Sequence, residues 1–435
     1  MKKYIILTTF LAGLPVLAQQ KPASKNKTVF SRINTGAPKP GIPDAAIKEY
    51  PVYFKGFWVI IFDEATDELG NHMLIGRIKV LEKDAKKRSP FINKAIDFSD
   101  TSDDDRYVVI STDKNYKPIK ISSTFSPQAI SYNAELKKFI VGSNTYGFKD
   151  SKDLFVHGWQ PMITVLDLEQ YGTTYAIKND YSCYLKDLIF EKDKIHVLVA
   201  SEEIRDYQKL EVITVDLNKF HDDKEEFFPK VLDQISHVIS VNHDKGRIDI
   251  SGISKVGPDY YFAASGLNHF DMIYKTYIYK FDGRTLEEQT AFKYFNDRMY
   301  MDAKLVKYNG FYIDSSNNPV FLTQRIGYKK MDLTKTNAGF DIKKNIKIKL
   351  FDYIESAKMA VFTNGNIVVL SLNENNRWEY YVYNSDLELT KKISSNLSEN
   401  YYPGKLKIPD EHTVECFFYD TKKSNGAMVQ YVDIE

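Results

Sequence analysis

The side chains able to do chemistry are dispersed along this chain. Its eight histidines, His72, His157, His196, His221, His237, His243, His269 and His412, form no His-Glu-x-x-His run and no pair at metal-ligand spacing, so no metal is expected. His196 lies mid-strand in KIHVLVAS, where a blade interior with a backbone partner is the expected setting. In VNHDKGRID, His243 stands beside Asp244, but neighbouring residues diverge and make a poor acid/base pair. The acidic run SDTSDDD, residues 99 to 105, offers calcium hard oxygens but lacks the glycine and closing glutamate of an EF-hand loop, and reads as solvated. Neither Gly-x-Ser-x-Gly nor Ser-x-x-Lys with its companion motifs occurs, so no catalytic residue is assigned and no cofactor is expected. Glycoside hydrolysis needs only two carboxylates about 5 to 9 Å apart. With 58 acidic residues, that chemistry stays open.

Recognition chemistry is better represented. NTYGFKDSKDLFVHGWQ, EEIRDYQ, GLNHFDMIYK, RIGYKK, LNENNRWE and YDTKKSNGA read as connections between the second and third strands of successive units. They supply an expected ligand-binding set of His157, Trp159, Arg205, Tyr207, His269, Arg325, Tyr328, Arg377 and Trp378, with Phe270 beside it. Aromatic rings and arginine together suit sugars or peptides, offering flat area and forked donors at modest entropic cost.

What must position these loops is a repeat. DLIFEKDKIHVLVAS, residues 187 to 201, has an apolar strand, a polar turn, and a second strand that is apolar without alternation and ends in a small polar residue. The same grammar recurs in QAISYNAELKKFIVGS, DISGISKVGPDYYFAAS, KLVKYNGFYIDSSNNPVFLTQ, AKMAVFTNGNIVVLS and KLKIPDEHTVECFF, at steps of 47 to 64 residues. An earlier candidate hairpin is YPVYFKGFWVIIF, ending at Phe62. Asn309-Gly310 and Asn364-Gly365 are dipeptides that tolerate positive φ in tight turns. Third strands such as MITVLDL, LEVITVDL and EYYVYNSDL follow, with weaker fourth strands such as TYAIK and LTKKIS. Runs like Val197-Leu198-Val199 must be covered on both faces, which a sheet pressed between two neighbours achieves and an isolated hairpin does not. An outer-membrane barrel would alternate lipid-facing and lumen-facing residues, and these strands do not.

On this period, residues 50 to 435 resemble, at superfamily level, exported bacterial β-propeller proteins. NGNIVVLS, residues 364 to 371, is similar to the inner hairpin of several propeller families; WD40, kelch and sialidase signatures are absent. The expected fold is an all-β propeller of seven blades within a range of six to eight, because HMLIGRIKVLEK and RYVVISTD leave room for an additional blade. The last unit stops at its third strand, MVQYVDIE, and the β-like segment KTVFSRI, residues 27 to 33, is the candidate to close the ring within a Pro-rich segment 19 to 49.

The N-terminal MKKYIILTTFLAGLPVLAQQ reads as a signal peptide, residues 1 to 18, cut after Ala18. Its apolar run is too short to span a bilayer, and no later stretch is long enough to place a transmembrane segment in the mature chain. The whole chain balances 59 basic against 58 acidic side chains, giving no electrostatic reason to expect nucleic acid. Cys183 and Cys416 are expected as small, half-buried packing residues, with a disulfide between them as the alternative. The resulting expectation is an exported, periplasmic or extracellular, non-catalytic scaffold binding a protein, peptide or glycan outside the cytoplasm through one loop-rich face. A glycosidase-type enzyme with acids at the channel mouth, and a structural envelope protein, remain as alternatives.

Overall fold

A computed structural model of the protein describes residues 46–98, 105–149, 155–177, 182–191, 194–201, 207–216, 230–232, 236–244, 248–256, 259–268, 273–282, 287–293, 303–305, 311–314, 316–325, 330–337, 339, 341–349, 357–422 and 426–435. Among them, thirty strands are joined by only two short helical pieces, Ala85–Lys87 and Pro90–Ala95. The strands form seven sheets that follow one another along the chain. The innermost strand of each sheet touches that of the next: Phe57–Thr66, Ser126–Asn133, Cys183–Glu191, Ile248–Val256, Phe311–Ile313, Lys358–Val361 and Tyr401–Lys407, and the last of these touches the first. The chain is a β-propeller, and the sheets are called blades 1 to 7 in that order.

The two segments that left room for an additional blade are the second and third strands of blade 1, His72–Val80 and Asp105–Thr112. YPVYFKGFWVIIF is not a hairpin. Its first half belongs to Ile47–Val52 and its second to Phe57–Thr66, which lie in different sheets. In blade 5 the hairpin turns over residues 314–318, because Phe311–Ile313 already pairs with Pro319–Arg325; Asn309 and Gly310 lie outside the described residues.

Burial follows from stacking. In Lys194–Ser201 every residue but the first is buried, and in Ile367–Leu372 all six are. Their side chains fill cores that sit between neighbouring blades. Ile140 and Ile163 of blade 2 meet Val197 and Ile213 of blade 3, while Tyr380 of blade 6 meets Val414 and Val432 of blade 7. Each such branched side chain contributes about 1.5 to 3 kcal/mol once covered. Cys183 and Cys416 are both buried, the first in the core shared by blades 2 and 3 and the second in that shared by blades 6 and 7.

One turn recurs in the connections within blades, five times at one end of the strands and once, at Asn373, at the other. Asp67, Asp113, Asp167, Asp314, Asn373 and Asn384 each open a loop in which the carbonyl accepts from the residue three on, while the side-chain oxygen caps amides within the loop. The fourth residue is left-handed in all six: Gly70, Tyr116, Gln170, Asn317, Asn376 and Leu387. The acidic or amide side chain replaces the backbone partners such a tight loop would otherwise lack.

The ring closes at blade 7. Its inner three strands, Tyr401–Lys407, Thr413–Asp420 and Ala427–Asp433, come from the C-terminus, and Ile47–Val52 pairs antiparallel with the third, Tyr50 opposite Val429. The exposed edge is thus covered by an N-terminal strand. The segment expected there, residues 27 to 33, lies outside the described residues. A second exchange joins blades 2 and 3: Lys230–Leu232, from the connection between the third and fourth strands of blade 3, adds a parallel strand to the edge of blade 2 beside Gly172–Ile177.

Candidate binding site at the channel mouth

The site is built by irregularities in the innermost strands. In blade 1 the ladder slips between Ile61 and Asp63, in blade 2 between Pro127 and Ala129, in blade 3 between Leu185 and Asp187, and in blade 7 between Pro403 and Leu406. The residues left over, Phe62, Gln128, Lys186, Gly404 and Lys405, have no ladder partner of their own. A bulge re-aims a side chain that regular pleating would send into the sheet. All five line a cavity of about 440 Å³.

This cavity opens on a definite face. It is lined by residues at or near the starts of inner strands, including Gln128, Lys186, Lys358 and Tyr402, together with Tyr107 near the start of a third strand and Tyr419 at the end of a second. Connections between blades, and between second and third strands, emerge at that end. Aromatic rings collar it: Phe62 lies 6.3 Å from Tyr107, and Tyr402 lies 5.4 Å from Tyr419. Burial pushes the Tyr419 hydroxyl up to about 12, with Arg77 pulling the other way.

An aromatic row leads into the same mouth. The second and third strands of blade 2, Lys138–Lys149 and Phe155–Leu166, are twelve residues each and project an arm. Across it Tyr146 faces Trp159, with ring centroids 5.6 Å apart, and Trp159 meets Tyr184 of blade 3 at 5.0 Å. The Lys186 ammonium, which lines the cavity, sits 5.1 Å from the Tyr184 ring. The Trp159 amide donates to Ser182 Oγ at 2.8 Å, pinning the arm to the start of blade 3. Tyr146 remains 65% exposed.

The opposite mouth gathers buried ion pairs and hydrogen bonds. Residues 64–66, 130–132 and 405–409 line a second cavity of about 580 Å³, which shares Asp187 and Lys405 with the first. Buried Asp63 holds both Lys405, at 2.9 Å, and Lys407. Burial alone would raise its pKa, but the two ammonium groups hold it below the usual carboxylate range. Burial works against the charge on Lys405, yet Asp63 and Asp187 raise its pKa. Glu64 accepts from Tyr116 at 2.8 Å and Tyr431 at 3.0 Å, with His72 Nδ1 at 3.2 Å. Glu415 lies beside it. Burial and the neighbouring Glu64 charge push Glu415 well above the usual range. Glu64 is lowered, because its hydrogen bonds outweigh burial.

The structure sorts the nine expected contact residues. His157 is exposed and Trp159 half-buried, both on the arm beside the mouth. Tyr207 opens the third strand of blade 3 and Arg325 ends the second strand of blade 5, with only their backbone described. Arg205, His269 and Tyr328 lie outside the described residues, as does Phe270. Arg377 is exposed at the start of a third strand. Trp378 is not a surface residue. It is 1% exposed, packs on Phe418 and donates its indole N–H to the Tyr401 carbonyl at 2.7 Å, so it ties blade 6 to blade 7. The strand that begins at Arg377 alternates, and Trp378 takes the inward position.

His196 is buried in its blade, with the Thr214 hydroxyl at 2.9 Å and the Tyr260 hydroxyl at 2.8 Å from its ring nitrogens. Residues 99 to 104 of the acidic run are outside the described residues; Asp105 pairs with Arg77 at 3.4 Å. Among the described residues no group of three or more His, Cys, Asp and Glu side chains could hold a metal ion. None of their helices is long and apolar enough to cross a membrane.

No protein-family model matches the chain, and no curated protein matches its sequence. It is similar in fold to several solved structures. One is a protein of unknown function from Dyadobacter fermentans, at 9% identity and TM-score 0.47, covering 90% of this chain and all of that one. Another is the β-propeller domain of the Trilobed protease from Pyrococcus furiosus, whose topology is an open velcro, at 10% identity and TM-score 0.46, covering 87% and 96%. YCF48 bound to a D1 peptide aligns at 8% identity and TM-score 0.48, covering 91% and 98%.

Proposed function

We propose that the protein is an exported, non-catalytic propeller that engages a protein, peptide or glycan outside the cytoplasm through the mouth lined by Phe62, Tyr107, Lys186 and Tyr402. The observation that carries this reading is the continuity of the row Tyr146, Trp159, Tyr184 with that cavity. Aromatic area backed by a rigid ring of sheets loses little entropy on binding, which is the condition under which loop side chains give useful affinity. Export rests on the N-terminal sequence, and periplasmic or extracellular residence follows from it.

The test is a peptide and glycan array probed with the full chain and with Trp159→Ala and Tyr146→Ala. Ligands detected by the parent should be lost by both variants while their melting temperatures hold. Array binding unchanged in both variants would remove this face as the binding surface. Export is checked separately by mass spectrometry of secreted material, with Gln19 expected as the new N-terminus.

A further inference from the structure

Ring surface is what the 440 Å³ cavity has to spare. Phe62 and Tyr107 of blade 1 and Tyr402 and Tyr419 of blade 7 all line it, and none of the four is fully buried. Each pair is already a tilted aromatic contact, at 6.3 Å and 55° for the first and 5.4 Å and 37° for the second. Rings tilted in this way leave edges and faces for a further ring, at the spacing of about 4.5 to 7 Å that aromatic clusters adopt.

The charged and amide side chains of the same wall are committed elsewhere. Arg77 faces Asp105 at 3.4 Å, Lys405 holds Asp63 at 2.9 Å, and the Lys186 ammonium lies 5.1 Å from the centre of the Tyr184 ring. Gln128 donates to Ser126, and Lys358 and Asp187 have partners of their own. A sugar must find hydrogen bonds for the hydroxyls it takes out of water, and an ion needs a counter-charge that is not already answered. An aromatic ring needs neither, and it gains by leaving water.

We infer that this mouth takes an aromatic side chain of an extended partner peptide, whose ring packs on Phe62, Tyr107, Tyr402 and Tyr419 while its flanking backbone crosses the row of Tyr146, Trp159 and Tyr184. The inference rests on the proposed function and names its ligand class. Size agrees with it. An engineered cavity of about 150 Å³ already takes up benzene, so one of about 440 Å³ has room for an indole and the chain that carries it. The row favours a peptide over a free planar molecule, because Trp159 and Tyr184 carry ring surface onward from the cavity that a single ring would leave uncovered. Most of the described wall comes from blades 1 and 7, so the seated ring spans the seam where the propeller closes.

Ligand-observed NMR titration of the full chain decides it, with N-acetyltryptophanamide, N-acetylleucinamide, methyl cellobioside and the peptide acetyl-Ser-Ser-Trp-Ser-Ser-amide as probes. The tryptophan amide should bind about fivefold more tightly than the leucine amide, and its affinity should change less than about twofold between roughly 0.05 and 0.3 M salt. The peptide should bind about threefold more tightly still. Phe62→Ala should weaken both tryptophan probes about fivefold, and Tyr107→Ala, at an exposed position, serves as the readout if Phe62→Ala fails to fold. Trp159→Ala should remove only the advantage of the peptide. Equal binding of the leucine amide, binding of methyl cellobioside alone, no binding of either tryptophan probe at about 10 mM, unchanged affinity in Phe62→Ala and Tyr107→Ala, or a peptide no tighter than the amide each overturns the aromatic-peptide assignment. Those outcomes leave the broader reading standing as long as array ligands remain sensitive to Trp159→Ala.

Discussion

Glu415 of blade 7 and Glu64 of blade 1 meet as a carboxyl and a carboxylate across the seam where the ring closes. Tyr116 and Tyr431 donate to Glu64, His72 approaches it, and Lys407 and Asp63 lie nearby, so Glu64 is held below the usual carboxylate range while burial beside it pushes Glu415 above. A carboxyl raised in the folded state binds its proton more tightly there than when unfolded. The stability tied to it is therefore complete below the ordinary carboxylate range and declines as pH climbs toward the raised value, by about 1.4 kcal/mol per pH unit inside that window. Glu64 acts in the opposite sense, losing its contribution as pH falls below the ordinary range. Glu415→Gln should keep the donor to Glu64 without a titrating group. Its melting temperature should fall less steeply than that of the parent as pH rises above the ordinary carboxylate range, and parallel profiles in a calorimetric pH series would refute a raised Glu415.

Trp378→Phe offers a second check, since it separates a packing residue from a contact residue. Losing the indole removes the hydrogen bond to the half-buried Tyr401 carbonyl and part of the packing on Phe418, at a cost of about 1 kcal/mol or more. Arg377→Ala, one residue away and exposed, should change stability by less than about 0.5 kcal/mol. Urea titrations of both variants measure the difference. Equal midpoints would mean that Trp378 does not pin blade 6 to blade 7.

Closure by Ile47–Val52 can be weighed by truncation. A chain beginning at Tyr53 lacks the strand that pairs with Ala427–Asp433, together with buried Val52, which packs in the core between blades 7 and 1. Against a chain beginning at Ala46, its melting temperature should fall by at least about 5 °C, and the uncovered edge should promote association. Identical melts and monomeric elution of both chains would show that the strand is dispensable.

The blade framework was legible because two-sided burial leaves a direct trace: a strand pressed between neighbours has no polar face, and VLVA or IVVLS cannot be read otherwise. The closing strand was not, since IKEYPV is edge-like and half-polar and gains its place only through pairing with the other end of the chain. Trp159 and His157 read as loop residues but lie on the strand Phe155–Leu166, which runs on past the blade, and Trp378 required the phase of its strand. Lys186, Phe62 and Lys405 reach the channel through bulges, and a bulge depends on slippage between partners. The only signal in the sequence was a polar residue interrupting an inner apolar run, as in LKDLIF or PGKLK.

That dependence makes the bulge in blade 1 testable at a residue outside the cavity. Gly76 lies opposite Ile61 where the ladder slips, and a Cβ there would fall 2.1 Å from the Ile60 carbonyl oxygen. Backbone cannot yield as a side chain can, so Gly76→Ala must push the inner strand away and displace Phe62, Asp63 and Glu64 together. A cost of about 3 kcal/mol or more is expected. Gly142 is the comparison, because its added Cβ would meet the flexible end of Leu188 at 2.5 Å, which a rotamer change can relieve. Gly142→Ala should therefore cost clearly less in the same urea titration. If the two losses match, the slipped ladder does not set the position of the channel-lining residues in blade 1.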